Sequence, residues 1–292
     1  MCNDGSPAAY YVSDQMQVED YEGVVVYLQE GGGCASVDDC NARCQVSSPG
    51  LCTEDTNQEH DLDYTMWSQD PEENPPFHNF YKVFVPYCSS DVYTGTRNAS
   101  EETGNYYFHG KFIVEALLED MLVTVPGIHS IKQFVLTGGS AGAFGVGFNC
   151  DFVSEFLQEE LGSQLDVRCI ADGGDFYPAW LSKDDCDPYL LGEAASVFWS
   201  SQLDSSCVVG SGPGSHDCLI FPTYFQYIDT PMMVVSNYVD TSMEVHPCTP
   251  PVDQDSQFWD TWREEMMILG NNFIQVITTH THTPIVHHHI LV

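Results

Sequence analysis

Gly138-Gly139-Ser140-Ala141-Gly142 is a G-x-S-x-G pentapeptide, and no other short segment of the chain has so plain a chemical meaning. A serine with small neighbours on both sides can sit at the crest of a tight strand-to-helix turn, where its hydroxyl is presented as a nucleophile. The helix that follows turns its free N–H groups and its dipole toward the same point, ready to stabilise an oxyanion. The chemistry implied is covalent acyl transfer. The bland alternative is a glycine-rich turn whose serine caps the helix. A phosphate-cradling loop is the other glycine-rich option, but no Gly-Lys-Ser/Thr follows.

A nucleophilic serine needs a base and an orienting acid, here expected in the chain order Ser, Asp/Glu, His. The apolar run Met232–Ser236 leads to Asp240, and the run Phe273–Thr278 leads to His280 and His282. Asp240 is the expected acid, with a turn-capping aspartate as its plainer reading. His282 is the expected base, with His280 in reserve. The segment "HTHTPIVHHH" also carries the marks of a metal site, since residues i and i+2 of a strand share a face. No cysteine or acidic residue beside it completes a ligand set, so no metal and no organic cofactor is expected. An oxyanion hole also needs an N–H from a loop after an early strand. Val24–Leu28 runs into Glu30-Gly31-Gly32-Gly33, where glycines let the backbone approach a carbonyl oxygen. Gly32, Gly33 and Ala141 are the expected donors. Phe176, Leu219 and Ile220, with Phe221, either line an acyl pocket or belong to the core.

The elements that must position these residues read as alternating strand and helix. Apolar runs at Val24–Leu28, Val83–Tyr87, Phe134–Leu136, Val167–Ala171, Met232–Ser236 and Phe273–Thr278 are mostly continuous, as in strands buried on both faces. Helical patterns cover Gly110–Leu122, the segment "AGAFGVGFNCDFVSEFLQEEL" after the serine, and Phe258–Leu269. The alternation predicts an α/β protein with a mainly parallel sheet covered by helices. The stretches 40–80 and 180–222 read as long loops above the sheet. No repeat or linker divides the chain, so residues 1–292 are expected to form one domain.

The balance of 8 Lys+Arg against 43 Asp+Glu gives a net charge of −35. Such a surface repels nucleic acid and suits a protein working in salt. No apolar run reaches the ~20 residues of a membrane span, and the start of the chain has no signal-peptide pattern, so it reads as a mature terminus. The 12 cysteines are dispersed, without a CxxC pair, which points to disulfides in an oxidising compartment and so to secretion. Asn98-Ala99-Ser100 is a glycosylation sequon.

The strings "CNDGSPAAYY", "YLQEGGGC", "PEENPPFHNFYKVFVPYCSSDVYTG", "LTGGSAGAFGVGFNCDFV", "IADGGDF" and "THTPI" follow one another as in the Notum / pectin acetylesterase family, which the chain resembles from Cys2 to about Ile285. The resemblance implies an α/β-hydrolase fold and a secreted serine carboxylesterase. Relatives remove acetyl groups from pectin, or a fatty acyl group from Wnt proteins. It places the nucleophile on Ser140, the acid on Asp240, the histidine on His282, and the oxyanion amides on Gly32 or Gly33 and Ala141. It also implies a local disulfide Cys34–Cys40 beside the oxyanion loop and a link from Cys2 to Cys88. The family usually carries an aromatic residue just after the early glycines; here Cys34 follows Gly33 directly. The expected reaction is ester hydrolysis, on an acetylated polysaccharide first and a lipid-acylated partner second. A third reading, of another class, is a non-catalytic binding protein on the same scaffold.

Overall fold

A computed structural model describes residues 1–12, 21–54, 65–174, 193–212, 216–219, 221–235, 260, 261 and 264. Within them, six strands form one sheet in the order β1-β3-β2-β4-β5-β6. These are β1 (Tyr11–Val12), β2 (Gly23–Leu28), β3 (Phe80–Val85), β4 (Gln133–Gly139), β5 (Asp166–Asp172) and β6 (Met232–Val235). Only β1 runs antiparallel to its neighbour; the other pairs are parallel.

The strands form where the sequence is β-branched or aromatic and buried. Val24, Val25, Val26 and Leu28 of β2 are wholly inaccessible, as expected of a central strand with both faces covered. One face packs Val24, Val26, Val83, Phe134, Leu136 and Val167 into the main core. That core also takes the apolar stripe of α2 (Gly110–Thr124) and the inner face of α3 (Ala141–Leu161). On the opposite face, Val25, Phe80 and Val135 form a smaller cluster with Met66, Phe77 and Ile170. α3 covers the span expected for the helix after the serine, and α2 runs two residues past its expected end. β3 begins three residues earlier than its apolar run suggests, because Lys82 lies inside it. That side chain is wholly buried, its Nζ 3.4 Å from the carbonyl oxygens of His78 and Phe80. The sixth expected strand, Phe273–Thr278, lies outside the described residues, and of the helix at Phe258–Leu269 only the helical residues 260, 261 and 264 are described.

Disulfides pin the segments around the sheet. Cys2 is bonded to Cys88, Cys34 to Cys40, Cys44 to Cys52, Cys150 to Cys169 and Cys207 to Cys218. Cys150–Cys169 ties α3 to β5 directly. No described helix is long and apolar enough to cross a membrane.

Candidate active site

Ser140 is the single residue between β4 and α3, and its backbone stands at φ 46°, ψ −114°. A non-glycine residue at positive φ is strained, by about 1–3 kcal/mol, and persists only where its surroundings impose it. Here they do. The Ser140 amide donates to the Asp172 carbonyl at 2.9 Å, and the Ser140 carbonyl accepts from Phe144 N–H at 3.2 Å. Gly142 lets the turn close: a Cβ there would fall inside contact distance of the Leu28 carbonyl oxygen. The side chain makes no capping hydrogen bond to α3, which removes the helix-cap reading of this serine. Ser140 is exposed, while Ala141 behind it is buried.

The second loop leaves β2 beside the first. Leu28 is in register with Gly138, so Glu30–Gly33 and Ser140–Ala141 emerge from neighbouring parallel strands on one edge of the sheet. Gly32 takes φ 70°, the left-handed region open to glycine. Gly32 and Gly33 are both exposed. The loop is anchored at both ends. Gln29 N–H donates to the Val85 carbonyl at 3.1 Å, and Cys34 N–H to the Ser90 carbonyl at 3.1 Å. The Cys34–Cys40 bond fixes the far end to α1 (Val37–Ala42). The indole of Trp199, the last residue of α4 (Glu193–Trp199), donates from Nε1 to the Cys34 carbonyl at 2.6 Å. Its ring would stand 3.4 Å from a Cβ on Gly33. An aromatic side chain from a distant segment therefore reaches the loop where Cys34 directly follows the glycines. Nothing in the local pattern around Trp199 announces this.

Beneath both loops lies the turn after β3, Cys88–Thr94, in which Ser90, Val92 and Tyr93 all have positive φ. Asp91 organises it. Its carboxylate is fully buried and accepts from Ser89 Oγ at 2.6 Å, Tyr93 N–H at 3.1 Å and Gly110 N–H at 2.7 Å. Burial raises its pKa to about 6, against the pull of those donors. Tyr93 joins the two halves of the site. Its hydroxyl lies 3.1 Å from the Gln29 carbonyl oxygen and 3.3 Å from that of Val85. Its ring packs against Gly145 of α3, and its carbonyl accepts from Asn149 Nδ2 at 3.1 Å. Ser90 is a second hub. Its Oγ donates to Asn3 Oδ1 at 2.6 Å and accepts from Arg43 Nε at 2.8 Å. None of Arg43, Ser90, Asp91 or Tyr93 carries a spacing pattern that sequence reading alone would single out, although three of them lie in "YCSSDVYTG".

Of the residues expected at the site, Ser140, Gly32, Gly33 and Ala141 share this edge. Asp240, His280, His282, Phe176 and Ile220 lie outside the described residues. β6, which leads toward Asp240, runs parallel to β5 with Val235 paired to Asp172, next to the elbow. Leu219 is buried at 5 % exposure within the main core, beside the disulfide-bonded Cys218. Asn98 is exposed, with its Oδ1 3.0 Å from His109 Nε2. Among the described residues, no three His, Cys, Asp or Glu side chains are grouped to hold a metal ion.

This arrangement has relatives. The Drosophila Notum structure, described as a Wnt deacylase, superposes with a TM-score of 0.76 at 25 % identity, over 96 % of this chain and 79 % of that one. The shared architecture is the α/β-hydrolase fold. Mouse NOTUM, a palmitoleoyl-protein carboxylesterase, is 34 % identical over 265 residues, 87 % of this chain and 51 % of that protein. Zebrafish notum1a, of the same description, is 28 % identical over 264 residues, again 87 % and 51 %. The chain thus spans about half the length of the curated relatives it matches. The pectinacetylesterase family model matches residues 1–286, and with the elbow, the glycine loop and the sheet all inside that span, the chain belongs to the pectinacetylesterase family.

Proposed function

We propose that the chain is a secreted serine carboxylesterase that transfers an acyl group to water. The observation that carries this reading is Ser140: a strained, exposed serine at a strand-to-helix crest, its side chain not spent on capping, beside an exposed glycine loop. Ser140 Oγ attacks the ester carbonyl carbon while His282 takes the hydroxyl proton. The tetrahedral oxyanion is held by the N–H groups of Ala141 and Gly33 or Gly32, each such donor being worth about 2.7–4 kcal/mol of barrier. Collapse breaks the ester C–O bond, and His282 gives its proton to the departing alcohol. Water, deprotonated by His282, then attacks the acyl-enzyme. The carboxylic acid leaves, and Ser140 regains its proton. Asp240 fixes the imidazole tautomer and stabilises its cation. The scheme uses side chains and backbone only. The five disulfides among the described residues support an oxidising, extracellular site of action.

The substrate proposed first is an acetylated polysaccharide, as the family description suggests. The palmitoleoyl-protein carboxylesterases among the relatives favour a lipid-acyl ester as the second reading. Labelling with a fluorophosphonate tests the chemistry: the wild type is expected to label and Ser140→Ala not to. A wild type that does not label would leave a binding protein on a hydrolase scaffold. Rates on p-nitrophenyl acetate against p-nitrophenyl octanoate then separate the two ester classes, with acetate expected to be faster.

A further inference from the structure

Arg43 opens the π-helical turn Arg43–Ser47 that follows α1. The turn is held between two disulfides, Cys34–Cys40 before it and Cys44–Cys52 within it. Its guanidinium is fixed from two sides, by the Nε–Ser90 Oγ bond of 2.8 Å and by the Tyr87 ring, 5.8 Å below Cζ. From there Nη1 reaches to 3.8 Å from the point where a Cβ on Gly32 would stand. Nη2 is buried and has no hydrogen-bond partner among the described residues.

Among the described residues this cation has no ion-pair partner. Arg97 is paired with Glu102 and Arg168 with Asp166. Around Arg43, no described carboxylate lies within ion-pair distance, in a chain with 43 acidic residues and 8 basic ones. An unpaired, half-buried guanidinium with an orphaned N–H group is costly, and burial lowers its pKa, against the pull of Tyr87 and Asp39. The cost is offset when negative charge forms next to it. The nearest place where the proposed chemistry makes such charge is the glycine loop, where the tetrahedral oxyanion collects.

We propose that Arg43 is a positioning residue of the oxyanion loop, a fixed positive charge beneath Gly32 that stabilises the transition state more than the bound ester. The guanidinium is itself partly buried, so its field at the loop is screened less than that of a fully solvated charge. A neutral ester gains nothing from it before attack, and the effect falls on kcat rather than KM.

The inference rests on the hydrolytic reading of Ser140. The test uses the whole chain and p-nitrophenyl acetate, a neutral ester. Arg43→Gln is expected to lower kcat about 10- to 100-fold with KM held within about twofold. Arg43→Lys, which keeps the charge, should restore a large part of the loss. Affinity for an aryl trifluoromethyl ketone, which adds Ser140 to form a bound oxyanion, should fall in step with kcat. Ser90→Ala, which frees the guanidinium but leaves the loop sequence intact, should lower kcat in the same direction by less. A rise in KM at constant kcat, as a substrate-anchoring cation would give, overturns the proposal. So do equal kcat values for the Lys and Gln variants, or an unchanged kcat in Arg43→Gln and Ser90→Ala. A wild type without Ser140-dependent turnover sinks the esterase reading instead, so the two failures are distinct.

Discussion

The Ser140 amide donates to the Asp172 carbonyl oxygen at 2.9 Å, tying the crest of the elbow to the end of β5. The bond is one reason the serine keeps a backbone conformation it would not choose. β5 is tied in turn to α3 through Cys169–Cys150. The elbow is thereby held by the strand beside it and by the helix after it.

Gly142→Ala tests how tightly that elbow is closed. The new methyl would collide with the Leu28 carbonyl oxygen, which is backbone and has no rotamer to change. The variant should lose about 1–3 kcal/mol of stability and at least tenfold in kcat. Thermal unfolding and steady-state kinetics read the two effects. Full activity in this variant would mean that the turn is looser than its contacts imply.

Tyr93→Phe removes the hydroxyl that meets the Gln29 and Val85 carbonyls. Val85 O keeps its bond from Gln29 N–H, so the Gln29 carbonyl is the one left short. A cost of about 1–2 kcal/mol is expected, with kcat falling more than KM changes. A variant that loses stability at undiminished kcat would confine Tyr93 to the core.

Asp91 gives the stability a pH dependence of known sign. Its folded pKa, about 6, lies above the ordinary carboxylate value, so the folded state holds a proton that the unfolded state releases. Stability from this group is greatest below about pH 4 and is lost as pH rises through 6, by about 3 kcal/mol for two pKa units. Burial of Asp172 raises its pKa in the same sense. Burial of His109 lowers its pKa, which works the other way. Of these three groups Asp91 alone is wholly enclosed. The melting temperature should therefore be higher at pH 5 than at pH 7, even in 1 M salt, where self-repulsion among surface acids is screened. A melting temperature that climbs from pH 5 to 7 in 1 M salt contradicts this.

The net charge of −35 sets a different test. A polyanionic pectin is repelled at low salt, where the Debye length is about 30 Å, and much less at 0.15 M, where it is about 8 Å. Release of acetate from pectin should rise with ionic strength while turnover of a neutral acetate ester stays level. The opposite trend would count against a polyuronide substrate.

How far the sequence predicts this architecture depends on where the determining contacts lie. β2, β4, β5 and α3 are legible because each is built from neighbours in the chain: unbroken valines, a glycine-serine crest, a long apolar helix. Lys82 hides the start of β3, because a lysine reads as surface until the carbonyls that receive it are known. Ser140 and the glycines at 31–33 are legible for the same local reason. Trp199 and Tyr93 are not, since each acts on a loop tens of residues away, and Arg43 is not, since the Ser90 hydroxyl that fixes it lies 47 residues further on. Val92 is hidden for a further reason: a β-branched residue at φ 49° goes against its own preference and is held there by the fold.

The Cys2–Cys88 bond makes the earliest residues part of this machinery. Asn3 sends Nδ2 to the Ser89 and Tyr107 carbonyls and receives Ser90 Oγ on Oδ1. Replacing Cys2 or Asn3 would therefore act as a lesion at the edge that carries Ser140, although both are remote from it in sequence.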